Sequence, residues 1–219
     1  MKLSPRTIQI LKNFSSINPS LRFDEGQVIK TISPNKTMMA KASLDNVIPQ
    51  RFAIYDLSRF LGVLSLFEDP SFEFEEKGLT IRADGRTVGY TYASESTIIS
   101  PPDREIVMES DVSFKLKQDQ FVEVMKALGV MSLPDFVVAG QGDKIWLRAT
   151  DTKNPSADKY DIEIGDNTSG ENGFEAIFKT ENLKIIPADY DVTISAKGLA
   201  HFKSADVEYW ISLDSNSSF

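Results

Sequence analysis

Apolar residues along this chain switch between two periods, and the switches mark its elements. Residues 51–56 (RFAIYD) alternate as a strand, and LSRFLGVLSLF (57–67) then sets Leu57, Phe60, Leu61 and Leu64 at helical spacing. Asp56 stands where an N-cap belongs and Pro70 where a helix has to stop. SFEFEE and LTIRAD alternate on either side of Lys77-Gly78, which predicts a hairpin. The same order returns further on. SFKLK (113–117) is extended, Gln118 or Asp119 caps a helix through about Met131, and Phe121, Val124, Met125 and Leu128 form its apolar stripe. Pro134 ends that helix, FVVAG and KIWLRAT make a hairpin, and YDIEI (160–164) adds a strand.

Two fainter copies flank these. SPRTIQILKNFSSI predicts a helix with Ser4 as N-cap and Pro5 at its first position, stopped at Asn18-Pro19. SLRFDEGQVIKTI follows as a hairpin around Glu25-Gly26. Near the C-terminus, FEAIF leads into a short helix over TENLKII (180–186), stopped by Pro187. DVTISA, AHFKS and EYWISL then alternate, with a turn at Lys197-Gly198. Helix, proline, strand, glycine turn and strand thus recur four times. The pattern predicts an α+β protein of two similar domains, each with two helices on one side of antiparallel sheet. Domain one spans 1–100, domain two spans 112–219, and the connector between them (101–111) begins with the stiff pair Pro101-Pro102.

Composition adds limits. Hydrophobic residues at 41% and charged residues at 26% describe a globular chain. No apolar run approaches the ~18 residues of a membrane span, and MKLSPRTIQI lacks the apolar core of a secretory signal. The absence of cysteine removes disulfides and thiolate metal sites, in keeping with a reducing cytoplasm. The formal charge is −8, which taken alone argues against nucleic acid as a partner.

The distribution of charge reverses that inference. Residues 1–23 hold Lys2, Arg6, Lys12 and Arg22 and no acid, so the remainder carries −12. In helical projection, Ile8, Ile10, Leu11, Phe14 and Ile17 turn toward the core of the first helix. Arg6, Gln9, Lys12, Asn13 and Ser16 share the other face. The second helix presents Ser58, Arg59, Gly62 and Ser65. Solvated helices more often mix signs into i,i+4 pairs. The third helix does mix them, with Asp119, Glu123 and Lys126, and is preceded by Lys115 and Lys117. Lys179 and Lys184 flank or lie on the fourth.

Catalytic motifs do not appear. There is no phosphate-binding glycine loop, and GQGDK sits in a hairpin turn with the wrong spacing. The one histidine, His201, lies in a predicted strand with no nucleophile motif to serve. No cofactor or metal is implied. A carboxylate-dependent hydrolase and a trimeric structural protein of a virion or baseplate stand as the alternative readings, and the acid-free first helix favours neither.

MKLSPRTIQILKNFSSIN, AIYDLSRFLGVLSLFED and IGDNTSGENGFEAIF…NLKIIPADYDVTISAKG together resemble the sliding clamps of T-even-type bacteriophages. Element order and length agree end to end, more loosely over 68–160. The resemblance implies two domains of the DNA clamp fold per chain in a homotrimeric, pseudo-six-fold ring. It implies a non-enzymatic processivity factor for the phage replicative DNA polymerase, acting on duplex DNA without reading its sequence, in the cytoplasm of the infected host. Its implied partners are an ATP-dependent clamp loader and a sigma-like factor of late transcription. Partner peptides would enter a hydrophobic pocket near the connector.

Size supports this picture. A domain of about 110 residues is roughly 30 Å wide; four such domains in a ring leave a hole of about 12 Å, and six leave about 30 Å. Only the larger passes a duplex roughly 20 Å across. The cations expected to face DNA are Arg6, Lys12, Arg59, Lys117, Lys126, Lys179 and Lys184. The edge segments 86–93 and 159–164 are the expected sites of contact between copies.

Overall fold

The computed structural model describes residues 1–167 and 173–219, so TSGEN within the C-terminal motif lies outside the described residues. The chain divides into two compact units, Met1–Asp103 and Arg104–Phe219.

The first unit runs α1 (Pro5–Ile17), β1 (Leu21–Phe23), β2 (Gly26–Ile32), β3 (Met38–Ile48), β4 (Phe52–Ile54), α2 (Leu57–Leu64), β5 (Ser71–Phe74), β6 (Gly78–Ala83) and β7 (Arg86–Thr91). Its helices start where the sequence predicts. The Ser4 hydroxyl accepts the Thr7 amide at 3.0 Å with Pro5 beside it, and the Asp56 carboxylate accepts the Arg59 amide at 2.8 Å. Both caps satisfy amides that the first helical turn leaves without partners. Ile10, Leu11, Phe14 and Ile17 are buried, with Thr7 in the place expected for Ile8, which is half exposed. α1 packs on α2 and on β3. β5, β6 and β7 form an antiparallel meander that turns at Lys77-Gly78 as predicted.

The expected hairpin around Glu25-Gly26 does not form. β1 pairs instead with β4, Phe23 opposite Phe52, and those rings stack at 4.5 Å. β2 pairs with β3, an eleven-residue strand that the sequence pattern did not reveal. Gly26 at φ +110° lets the chain leave one strand pair for the other, so the turn joins two sheets and not two partners.

The second unit runs β8 (Val112–Leu116), α3 (Gln118–Met131), β9 (Asp135–Gln141), β10 (Lys144–Thr150), β11 (Tyr160–Asp166), β12 (Glu175–Lys179), β13 (Tyr190–Ser195), β14 (Leu199–Lys203) and β15 (Val207–Ser212). One antiparallel sheet has the order β11-β10-β9-β12. In the other, β15 pairs with β14, β14 with β13 and β13 with β8. α3 covers β9, β10 and β11 and buries Phe121, Val124 and Leu128. A relay of rings fills the core between the sheets: Phe121 to Phe136 at 6.2 Å, Phe136 to Phe178 at 5.9 Å, Phe178 to Phe202 at 5.8 Å and Phe202 to Tyr190 at 6.0 Å. Such pairs contribute about 0.5–1.5 kcal/mol each beyond their buried area.

Two expectations are corrected here. α3 begins at Gln118 with Lys117 as its cap residue, and Gln120 Oε1 accepts the Lys117 amide at 3.1 Å. The fourth helix is absent among the described residues. Only a 3₁₀ turn, Thr180–Asn182, stands in its place. Leu183, Ile185 and Ile186 are buried in the irregular segment that follows it. Ile185 and Ile186 are β-branched, and a residue before proline is driven toward extended backbone. Among its described residues the second unit therefore carries one α-helix where two were expected.

Candidate nucleic-acid interface

The predicted face of α1 forms as a polar surface. Gln9, Lys12 and Ser16 are exposed, and the half-buried Arg6 guanidinium donates to Gln9 Oε1 at 2.7 Å. Ser15 and Ser16 turn their hydroxyls back to the carbonyls of Lys12 and Asn13, at 2.7 and 2.6 Å. On α2, Ser58, Arg59, Gly62 and Ser65 are all exposed. The helix is fixed from behind. The Leu57 amide donates to the Pro19 carbonyl at 2.7 Å, and Phe60 meets the edge of Tyr90 at 5.2 Å. Tyr90 donates to the Asp56 carbonyl at 3.3 Å, and burial together with the Asp56 carboxylate holds its phenol above the usual tyrosine range.

The four cations of residues 1–23 are not equivalent. Lys2 is ion-paired with Asp69, and Arg22 with Asp24 at 3.1 Å and Asp103 at 3.4 Å. Arg6 lies along its own helix. The side chains of Lys12 and Arg59 make no hydrogen bond or ion pair within the described residues. A pair of adjacent helices thus presents two uncommitted charges, small hydroxyl residues and no acid.

On α3 the two acids are exposed, and each accepts a hydrogen bond. Tyr160 of β11 donates its phenol to Glu123, and this bond raises the phenol pKa. Asp119 accepts the Gln120 amide at 2.9 Å. Lys117 and Lys126 are left exposed without polar side-chain partners. Sequence could not show this, since Glu123 and Tyr160 lie 37 positions apart.

The two remaining predicted cations behave differently. Lys184 is exposed, on an extended segment and not on a helix. Lys179 Nζ lies 2.6 Å from Asp135 and 3.2 Å from Asp214. Asp135 is fully buried and also accepts the Thr152 amide at 2.8 Å and hydroxyl at 2.6 Å. The charge of Lys179 is thereby balanced inside the fold.

His201 Nε2 is 3.0 Å from Glu208, and its ring stacks on Trp210 at 4.5 Å. Among the described residues no group of three His, Cys, Asp or Glu side chains is arranged for a metal. Among those residues, no helix is long and apolar enough to cross a membrane.

Residues 2–99 match the family described as DNA polymerase processivity factor, and residues 113–215 the one described as gp45 sliding clamp, C terminal. The sliding clamp of Vibrio phage KVP40 is 30% identical over 98% of this chain and 99% of its own. The chain belongs to the phage sliding-clamp family. The sliding clamp of Enterobacteria phage T4 is likewise 30% identical, over 100% of this chain and 99% of its own. Among solved structures, that of A. fulgidus PCNA bound to the C-terminal region of FEN-1 superposes with a TM-score of 0.71 at 12% identity, covering 96% of each chain. The architecture is therefore the α+β clamp fold, and the family is one of DNA polymerase processivity factors.

Proposed function

We propose that three copies of this chain close into a ring around duplex DNA and tether the replicative polymerase of a phage, in the cytoplasm of the infected host. The chain makes and breaks no bond itself. An ATP-driven loader opens the ring, and polymerase, loader and a sigma-like factor of late transcription dock on it. The observation that carries this reading is the surface of α1 and α2, where Lys12 and Arg59 stand uncommitted in a chain of net charge −8. The DNA-facing set is Arg6, Lys12, Arg59, Lys117, Lys126 and Lys184; Lys179 is left out because its charge is already balanced.

Two strand edges support assembly. β7 has a hydrogen-bonded neighbour only in β6, and β11 only in β10, among the described residues. Open edges favour aggregation unless something covers them. Pairing β7 of one copy with β11 of the next would cover both, in the head-to-tail manner that a ring needs.

The test is the mass in solution, followed by retention on circular and on linearised DNA after loading by the cognate ATPase. A trimer that stays on the circle and runs off the line is the expected result. Charge reversal at Arg6 and Lys12 should impair loading and processive synthesis; unchanged values in that variant would remove α1 from the DNA-facing surface.

A further inference from the structure

A cavity of about 540 Å³ opens between the first turns of α1, the last turn of α2 and β5. Leu3, Ile8, Leu61, Phe67 and Phe72 form its walls, and Lys12 stands at its rim. Leu3, Ile8, Leu61 and Phe67 are only half buried, so apolar surface is open to solvent there. That volume lies within the ~300–1,000 Å³ typical of ligand pockets, which are apolar with a few polar groups for orientation.

Charge selects the occupant. The rim carboxylate, Asp69, is already paired with Lys2, whereas the Lys12 ammonium is uncommitted. Residues 1–23 supply no acid to repel an anion. An apolar slot beside an uncommitted cation fits a flat apolar body joined to a negative charge, and the surface it adjoins is the one assigned to DNA. In a duplex both faces of a base are stacked and covered, whereas an unpaired nucleotide offers its faces to protein side chains.

We propose that this cavity holds an unpaired nucleobase of single-stranded DNA, with Lys12 on an adjoining phosphate. The assignment rests on α1 and α2 facing DNA. It gives the clamp a contact that a template overhang can make and a continuous duplex cannot.

Leu61→Trp places an indole on the cavity wall at a half-buried position. Titration of that full-length variant with oligo-dT should quench its fluorescence saturably, and a blunt duplex of equal length should not. Adding Ile8→Glu, which sets a carboxylate against the base, should weaken the quenching at least about ten-fold while retention on circular duplex is kept. Circular dichroism establishes that each variant is folded, and Leu3→Glu, at another half-buried position of the cavity wall, replaces Ile8→Glu if the latter is not. Quenching by duplex as strong as by oligo-dT overturns the inference. So does the absence of quenching by oligo-dT in a protein that is retained on the circle, which leaves the ring reading intact. Failure of both quenching and retention strikes the ring reading itself, and the cavity assignment falls with it. Saturable quenching by an apolar peptide and not by oligo-dT assigns the cavity to protein and likewise overturns the proposal.

Discussion

Asp135 shows how much a single charge can organise. It is fully buried on β9, and its partners come from β12 (Lys179) and from the loop after β10 (Thr152), while Lys179 also holds Asp214 after β15. Burial alone would push the Asp135 carboxyl up, yet the bonds from Lys179 and Thr152 prevail and hold it below the ordinary aspartate value. Asp214 is also lowered, first by the Asn216 amide and then, against its burial, by Lys179. Both carboxyls bind fewer protons folded than unfolded near pH 4. Their stabilisation is therefore complete above the unfolded value of about 3.9 and is lost as pH falls through the lower folded values. The unfolding midpoint should drop on acidification from pH 5 to pH 2.5, and Asp135→Asn should flatten that decline. Lys179→Met strands a buried carboxylate and should cost about 3–5 kcal/mol in urea unfolding. The same variant should leave the salt dependence of DNA binding unchanged, which separates a structural lysine from one that faces DNA.

The helices of the first unit were legible because local chemistry decides them. Ser4 with Pro5, and Asp56, sit where caps must sit, and the structure uses each as a cap. Asp56→Ala should destabilise the protein by about 1 kcal/mol in denaturant titration. Since Asp56 also receives Tyr90 through its backbone carbonyl, which survives the change, α2 should remain docked and circular dichroism should be little altered. Elements decided at long range were not legible. β3 buries residues of both parities at its start, Met38, Met39 and Ala40, so it shows no clean alternation there. β1 prefers a partner 29 to 33 positions away to the neighbour across Gly26, because Leu21 and Phe23 meet Ile54 and Phe52 there. TENLKII has enough apolar residues for a helix, but Ile185-Ile186-Pro187 forces extension. In the candidate interface, the cations of α1 and α2 could be read from projection. The diversion of Glu123 to Tyr160 and of Lys179 to Asp135 depended on strands that projection does not place.

At the scale of the whole molecule, the acidic net charge and the basic helix pair are two halves of one requirement. A protein held on DNA by charge loses affinity steeply with salt, by about 0.9 log unit per log unit of salt for each phosphate contact. A protein held by topology does not, because escape requires the ring to open at an interface or to reach an end. On the ring reading, a few uncommitted cations per chain, with acid elsewhere, would keep adhesion weak enough to permit sliding. Two rates should then respond differently. The yield of loading should fall as salt rises, and its slope should become shallower by roughly 0.9 for each contact removed in Lys12→Glu or Arg59→Glu. Residence on a closed circle, once loaded, should be nearly the same at 50 and 200 mM salt and in those variants. Linearising the circle with a restriction enzyme at either salt concentration should release the protein within the time needed to slide to an end. If residence on the circle instead falls as steeply as loading does, the helix surface grips DNA as an ordinary basic patch. The edges of β7 and β11 would then need a different explanation from ring closure.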